Sequence, residues 1–351
     1  MNFDNIEIIH KLDRSNMLGE ITNLPDQLMR AWETAGNFPL PEEKKYSNII
    51  IAGMGGSAIG ADVLAGYINP FCGIPLSVLR GYLLPKWAAG GEVLVICSSH
   101  SGNTEETLAV FEDAILNDCT VMSISTGGKL FNRSLAENKT AWKFTHEGQP
   151  RAAVGYSFGL LLNLFSRMDW IPDQFENLSE VVQSTKQFIK SIGEIIPAAQ
   201  NQAKRIAGQA LERIPVIFGA EHLEPVARRW KTQMNELAKC SAFFEFLPEA
   251  DHNTLAGLVY PESSQQKFYT LFLDSEHYHQ RNTKRIHLTC DEFMLAGFCT
   301  DKINFPKNTK LNEIWKLILL GDFVSFYLSI AYGVDPTPVE ALQNLKQAMN
   351  K

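Results

Sequence analysis

Two patterns of hydrophobic and polar residues alternate along most of the chain. Short apolar, β-branched runs are followed by longer segments whose apolar residues recur at helical spacing. From residue 46 onward the strand candidates read NIIIAGMG, IPLSVLR, EVLVICSS, TVMSIST and AWKFT, and the helical segments between them read SAIGADVLAGYI, NTEETLAVFEDAIL and GKLFNRSLAEN. This order is typical of a parallel sheet that helices cover on both faces. We therefore predict an α/β fold with a doubly wound parallel sheet.

A second copy of this layout begins near residue 210. The segment IPVIFGAEHLEPVARRWK repeats the strand, glycine turn and helix of NIIIAGMGGSAIGADVLAG, with Gly219 in the place of Gly53. Further strand candidates follow in SAFFEFL, KFYTLFL and KRIHLTC, while SEHYHQRNTKR is typical of a solvated hairpin. The weak internal similarity predicts two copies of one α/β fold.

Helical segments flank and connect the two predicted copies. Apolar residues recur at helical spacing between Met17 and Trp32, residues 178–209 form an amphipathic region, and two more helices are expected near residues 311–332 and 338–350. A chain of 351 residues is long for one hydrophobic core. We therefore predict a helical arm at 1–45, a first domain at 46–175, a connecting helical region at 176–209, and a second domain with C-terminal helices at 210–351.

Composition and charge exclude several classes of protein. Charged residues make up 20% of the chain and hydrophobic residues 45%, which is typical of a folded globular protein. The formal net charge is -7 and Lys and Arg do not cluster, which argues against nucleic-acid binding. The start, MNFDNIEIIHKLDR, carries charges where a secretory signal has an apolar run, and we expect no apolar run of membrane-spanning length. We therefore expect a cytoplasmic protein without a membrane partner.

Cysteine and histidine spacing does not indicate a metal site. The six cysteines are scattered without a C-x-x-C pair. His277 and His279 are two residues apart, but no third ligand lies near them in sequence. We therefore expect neither a metal ion nor another cofactor.

The first candidate binding loop, GMGGSAIG, lies between a predicted strand and a predicted helix. Its glycines let the backbone approach an anion at the N-terminus of that helix. Gly53, Gly55 and Gly56 are spaced G-x-G-G rather than G-x-G-x-x-G, and no acidic residue ends the next predicted strand, where a ribose contact requires one. The spacing therefore disfavours a dinucleotide site.

The second candidate loop, SSHSGNTEET, concentrates hydroxyl groups between a buried strand and a helix. Ser99, Ser101 and Thr104 lie within six residues, and Gly102 permits a tight turn. Hydroxyl and amide groups at a helix N-terminus form a neutral cradle for a phosphate monoester. The alternative is a capped strand-to-helix turn, which requires one Ser or Thr rather than three.

At these two loops the chain resembles the sugar isomerase (SIS) family, whose domains carry an S-x-S-G-x-T phosphate loop and are often duplicated. The segments QPRAA, QMNELAK, PEADHNTLAG and DPTPVEALQNLK make it similar to the bifunctional phosphoglucose/phosphomannose isomerases. The resemblance runs from about Asn48 to Lys346 and covers nearly the whole chain. It implies two flavodoxin-like SIS domains from an internal duplication. It also implies that glucose 6-phosphate and fructose 6-phosphate are interconverted through a cis-enediol, with mannose 6-phosphate as a second aldose.

The resemblance also implies roles for single residues in the chemistry. Glu236 in MNELAK matches the base that moves a proton between C2 and C1, and a carboxylate can reach both carbons. His252 in EADHN matches the residue that opens the sugar ring, and it is implied to act across the interface of a homodimer. From the residues alone, Glu236 could instead pair with Lys231 or Lys239 on a helix face, and His252 could be a surface or capping residue.

Two further residues complete the implied catalytic set. Arg151 in QPRAA matches an arginine that stabilises negative charge on the enediolate, although an arginine before an apolar helix can equally hold a carboxylate. Lys346 in LQNLK matches a lysine that assists ring opening or holds sugar oxygens, with a solvated lysine as the alternative.

The phosphate of the sugar is expected to bind at Gly56, Ser57, Ser99, Ser101 and Thr104. His100 lies inside this loop, where we expect a smaller or differently polar residue in many relatives. Two other functions remain open. One is a related SIS enzyme that acts on another sugar, such as an amino-sugar phosphate, and the other is a non-catalytic sugar-phosphate sensor.

Overall fold

The computed structural model describes residues 3–349, and three helices come first. They are α1 (Ile6–Leu12), α2 (Met17–Thr22) and α3 (Leu24–Gly36). The side chain of Asn5 caps α1 by accepting a hydrogen bond from the backbone N–H of Ile8. The N-terminal segment is therefore helical, as the spacing of its apolar residues predicts.

Five parallel strands form the first sheet, in the order β2-β1-β3-β4-β5. They are β1 (Asn48–Ala52), β2 (Leu76–Leu79), β3 (Val93–Ser99), β4 (Thr120–Ser125) and β5 (Thr140–Lys143). The accompanying helices are α4 (Gly55–Ile68), α5 (Glu105–Leu116), α6 (Gly128–Ala136) and α7 (Val154–Arg167). Every residue of β3 is buried, because this central strand is covered on both faces.

Four parallel strands form the second sheet, in the order β7-β6-β8-β9, which repeats the order of the first four strands of the first sheet. They are β6 (Ile214–Ala220), β7 (Phe243–Leu247), β8 (Phe268–Leu273) and β9 (Cys299–Ile303). The helices around this part of the chain are α8 (Phe175–Ile192), α9 (Gln202–Ala210), α10 (Glu224–Glu236), α11 (Gln280–Leu295), α12 (Lys310–Tyr332) and α13 (Glu340–Met349). The prediction of two doubly wound α/β copies is confirmed.

The chain divides into two compact units. Residues 23–184 surround the first sheet, and the described residues before and after this range surround the second sheet. Helix α3 thus belongs to the first unit, whereas α1 and α2 belong to the second. The four segments predicted from the sequence have other boundaries in the helical regions than these two units, and this division stays a prediction.

One predicted strand is wrong. The segment KRIHLTC lies in α11, and the hairpin expected before it is the turn that leads into this helix, with His279 as the N-cap. Ile286, Cys290 and Phe293 recur at helical spacing and are buried, so they form the inner face of the helix. The strand at this place in the sheet is β9, whose Asp301 and Lys302 are exposed and interrupt its apolar pattern.

Helix α12 has 23 residues and is almost entirely buried. By length and composition alone it could cross a membrane, so the expectation that no segment reaches that length is wrong. However, 89% of its most apolar 18-residue stretch is buried inside the protein. Asp322 in its middle forms a buried ion pair with Arg229 of α10, with 2.6 Å between Oδ2 and Nη2. Trp230 Nε1 donates to the carbonyl of Leu317 at 2.8 Å. Helix α12 is therefore a core helix of the second unit.

Candidate active site

The two candidate binding loops follow neighbouring strands of the first sheet. The chain leaves β1 toward β2 on one side and returns to β3 on the other side of β1. Open parallel sheets bind ligands outside the carboxyl ends of the strands, at the point where the strand order reverses. The turn at residues 53–57 and the loop at residues 99–104 (the phosphate loop) both lie at this point.

Hydrogen bonds join the predicted phosphate-binding hydroxyls. The backbone N–H of His100 donates to Oγ of Ser57 at 3.2 Å. Oγ of Ser99 lies 2.8 Å from Oγ1 of Thr104 and accepts from the N–H of Gly102 at 3.1 Å. Ser57 and Ser99 are only 6% and 2% exposed, so their hydroxyls have fixed positions. The structure therefore brings these three predicted residues together.

The other two predicted phosphate-site residues, Ser101 and Gly56, are more exposed. Oγ of Ser101 accepts from the N–H of Asn103 at 3.2 Å, and Gly56 is the second residue of α4. Thr104 precedes α5, but its side chain bonds Ser99 and does not cap the helix. Since neither α4 nor α5 has a side-chain cap among the described residues, N–H groups in their first turns can bind an anion.

A neighbouring turn shapes the phosphate loop. Gly102 has a φ of +65°, and a Cβ added there would overlap the carbonyl oxygen of Gly127, which precedes α6. Across the same contact, the N–H of Leu130 donates to the carbonyl of Gly102 at 2.9 Å, and the N–H of Lys129 donates to Oδ1 of Asn103 at 3.1 Å. This contact of Gly127 with the phosphate loop was not predicted, because a glycine pair one residue after a strand indicates a turn but not what the turn touches.

Arg151 lies in a short 3-10 turn, Pro150–Ala152, directly before α7. It is 7% exposed, and its Nη1 donates to Oε1 of Gln149 at 3.4 Å. A Cβ added at Gly56 would lie 3.3 Å from the Cα of Arg151 and would overlap the carbonyl of Pro150. Arg151 therefore lies against Gly56 at the start of α4, and Gly56 directly precedes Ser57.

The ring of His100 contacts His146, which lies after β5. Its Nε2 lies 2.9 Å from Nδ1 of His146, a residue that the sequence analysis did not identify. Burial lowers the pKa of His100 to about 4, and the neighbouring His146 contributes to this lowering. His100 is therefore neutral at physiological pH.

Glu236 is the last residue of α10 and is half-buried. Nζ of Lys239 donates to the backbone carbonyls of Glu236 and Leu237 at 2.8 and 3.1 Å, and so caps the end of this helix. The buried contacts of Arg229 and Trp230 with α12 hold the helix in place. The backbone position of Glu236 is therefore fixed within the second unit.

His252 and Lys346 also belong to the second unit, and both are exposed. His252 ends the 3-10 turn Glu249–His252. The carboxylate of the adjacent Asp251 accepts from Nη1 of Arg285 and Oγ1 of Thr289, each at 2.7 Å, which fastens this turn to α11. Lys346 lies on α13. The predicted site residues thus fall into two groups, with the phosphate-site residues and Arg151 in the first unit and the other three in the second.

Known proteins are similar to this chain over both units. Residues 199–349 match the model of the bacterial phospho-glucose isomerase C-terminal SIS domain. A bifunctional phosphoglucose/phosphomannose isomerase of Caldicellulosiruptor bescii is 34% identical over 335 residues, which cover 95% of this chain and 98% of that protein. One of Aquifex aeolicus is 32% identical and covers 87% and 91%. A solved structure of a hypothetical protein from Thermus thermophilus has a TM-score of 0.75 at 14% identity and covers 98% and 93%.

Proposed function

Because this chain belongs to the bifunctional phosphoglucose/phosphomannose isomerase family, we propose that it interconverts glucose 6-phosphate and fructose 6-phosphate and accepts mannose 6-phosphate as a second aldose. The protein is an isomerase of hexose phosphates, as the sequence predicts.

One observation carries the binding part of the proposal. The hydroxyls of Ser57, Ser99 and Thr104 meet at the carboxyl ends of β1 and β3. Hydroxyls can donate to the oxygens of a phosphate monoester, and the nearby N-termini of α4 and α5 favour negative charge. With Gly56 and Ser101 at the edge, the site suits the 6-phosphate of a hexose and leaves the sugar to other residues.

Glu236 is the proposed base. In the open-chain aldose, its carboxylate takes the proton from C2 while the C1 carbonyl oxygen gains a proton, which gives the cis-enediol. Return of the proton to C1, with loss of the proton on the C2 oxygen, gives the ketose. Glucose 6-phosphate and mannose 6-phosphate differ only at C2, so both give the same enediol. One base can therefore serve both aldoses if the enediol rotates about its C2–C3 bond or the site accepts both configurations at C2.

The other proposed residues act on charge and ring opening. Arg151 stabilises the negative charge that develops on the enediolate oxygens, and its burial increases the strength of that interaction. His252 moves a proton between the ring oxygen and the C1 hydroxyl, and Lys346 assists this step or holds sugar oxygens.

The proposal includes a homodimer in which His252 acts in the active site of the neighbouring subunit. The exposure of His252 and its attachment to α11 through Asp251 are compatible with a role at an interface. The cytoplasmic location expected from the sequence also stays a prediction.

The decisive experiment assays the purified protein with fructose 6-phosphate, without added metal, and measures glucose 6-phosphate and mannose 6-phosphate separately. Glu236→Gln keeps the size of the side chain but cannot accept the proton, so the rate is expected to fall by at least about a hundredfold. Glu224→Gln is the matched control, because it replaces a carboxylate at the other end of the same helix α10, where Glu224 accepts from Nη2 of Arg228 at 3.1 Å.

Three results contradict parts of the proposal. Full activity in Glu236→Gln rejects Glu236 as the base. Activity on an amino-sugar phosphate but not on fructose 6-phosphate favours the related SIS enzyme. Tight binding of fructose 6-phosphate without turnover, unchanged in Glu236→Gln, favours the sensor.

A further inference from the structure

His100 connects the phosphate loop to the loop that carries Arg151, residues 145–152 (the arginine loop). Nε2 of His100 and Nδ1 of His146 are 2.9 Å apart, and the two rings are nearly perpendicular, with 5.1 Å between their centroids. Since His100 is neutral, one ring nitrogen donates the shared proton and the other accepts it.

The backbone of His100 is itself fixed on both sides. Its N–H donates to Oγ of Ser57, and its carbonyl accepts from both the N–H and Oγ1 of Thr126, at 2.9 and 2.8 Å. The imidazole of His100 therefore extends from a rigid point between the predicted phosphate ligands Ser99 and Ser101.

Aromatic side chains hold the two imidazoles in this geometry. His146 packs against Tyr156 with ring centroids 5.5 Å apart, Tyr156 stacks on Phe144 at 5.2 Å, and Phe144 meets the edge of His100 at 5.9 Å. Because the four rings contact one another in a closed cluster, they restrict rotation of either histidine.

The arginine loop is held at a second point, close to Arg151. Nε2 of Gln27, in α3, donates to the carbonyl of Ala152 at 2.8 Å. Together with the His100–His146 hydrogen bond, this contact fixes the loop before and after Arg151. The start of α4 at Gly56 supports the loop between these two points.

We propose that His146 and His100 are positioning residues that set the arginine loop against the phosphate loop. Neither imidazole is assigned a contact with substrate, so their effect passes through Arg151. This inference rests on the proposed function of Arg151. It implies that loss of the hydrogen bond slows the chemical step and leaves phosphate affinity intact.

The first test compares His146→Phe with His146→Asn. Phe keeps the ring contacts and removes the hydrogen bond, whereas an Asn side-chain atom can replace Nδ1. With fructose 6-phosphate, kcat of His146→Phe is expected to fall about tenfold, which is the loss of one hydrogen bond. The KM, and the inhibition constant of inorganic phosphate, are expected to stay within about twofold, and His146→Asn recovers most of kcat.

A double-mutant cycle separates positioning from general destabilisation. In the Arg151→Lys background, His146→Phe is expected to change kcat by less than about twofold, because the interaction it positions is already lost. The same tenfold loss in both backgrounds overturns the proposal, as does a rise in the phosphate inhibition constant with kcat unchanged. If His146→Phe does not fold, His100→Phe tests the same hydrogen bond from the other loop.

Amide hydrogen exchange tests the link without any activity. In His146→Phe, residues 145–152 are expected to exchange at least about tenfold faster, while residues 99–104 keep their protection. Unchanged exchange in the arginine loop overturns the proposal. Faster exchange in a protein that does not isomerise fructose 6-phosphate supports the link and rejects the proposed function instead.

Discussion

Gly55 and Glu221 adopt the same left-handed backbone conformation, with φ of +49° and +48°, at equivalent turns after β1 and β6. A Cβ at Gly55 would point into open space. At Glu221 a side chain fills that position, and its carboxylate accepts from the N–H of His279 and from Nδ2 of Asn282, both at 2.8 Å. The two copies thus share this backbone angle but differ in what occupies the turn.

A carboxylate at residue 55 is expected to weaken phosphate binding. Gly55→Ala should cost about 1–2 kcal/mol of stability because of its φ, with a small effect on KM. Gly55→Glu adds a carboxylate near the phosphate, so the KM for fructose 6-phosphate is expected to rise at least about tenfold above that of Gly55→Ala. Gly55→Gln is the uncharged control, and an equal KM for the Glu and Ala variants would falsify this prediction.

Loss of a hydroxyl in the phosphate site is expected to weaken substrate binding. Ser99→Ala removes one hydrogen bond to a charged group, so KM and the inhibition constant of inorganic phosphate should rise about 10–100-fold. Ser134→Ala removes another buried hydroxyl, which bonds Ser123 within the first unit, and controls for loss of stability alone. The prediction fails if both variants bind inorganic phosphate equally well.

Gly102→Ala is expected to displace the phosphate loop. The added Cβ overlaps the carbonyl of Gly127 in addition to the cost of a positive φ. Gly90→Ala has a similar φ cost, with a φ of +81°, but meets no atom within 4 Å. Denaturant unfolding should therefore show a larger loss of stability for Gly102→Ala than for Gly90→Ala. Only Gly102→Ala should also bind phosphate more weakly. An equal loss of stability in the two variants would contradict this prediction, because it would mean that Gly127 moves to accommodate the added Cβ without cost.

Stability at acidic pH is expected to depend on His100. Its pKa is about 4 in the folded protein against an ordinary value of 6.5, so between these values the unfolded chain binds a proton that the folded protein does not. Stability is therefore lost as the pH falls from 6.5 to 4. The melting temperature of His100→Phe should fall less over this range than that of the wild type. Above pH 7 the two melting temperatures should change with pH in parallel. Parallel curves throughout would contradict the lowered pKa.

Removal of one partner of the Arg229–Asp322 ion pair is expected to destabilise the second unit strongly. Asp322→Ala leaves the guanidinium of Arg229 buried without its carboxylate and should cost about 3–5 kcal/mol. The exposed pair of Arg133 and Glu112 is the control, since Arg133→Ala should cost less than about 1 kcal/mol. Replacing Arg229 by Met and Asp322 by Leu together should recover much of the loss in urea unfolding. A small effect of Asp322→Ala alone would contradict the prediction.

The sequence predicts those parts of the fold that have a strong local signal. Strands β1, β3, β6 and β8 are each built around a short apolar run, and the phosphate loop has its hydroxyls within one short segment. By contrast, α11 contains several β-branched residues, so its sequence resembles a strand locally. The segment is a helix because that conformation buries Ile286 and Phe293 on one face. The charged residues Asp301 and Lys302 interrupt the apolar pattern of β9, so this strand was not predicted.

The contributions of Gly127 and His146 to the site could not be predicted in this way. They follow β4 and β5, and only strand pairing brings them next to the phosphate loop. Ser99 pairs with Ser125, and Ser125 pairs with Lys143, so the segments after these strands meet at one edge of the sheet. A single sequence contains the residues but not this register.

The attachment of α10 to α12 limits how the second unit can move. The ion pair and the Trp230 hydrogen bond are buried, so breaking them requires opening of the core of this unit, which is rare and slow. Glu236 therefore travels with α12 as one rigid piece during any motion on the timescale of turnover. The turn that ends at His252 is attached to α11 through Asp251 instead, so it does not share this constraint.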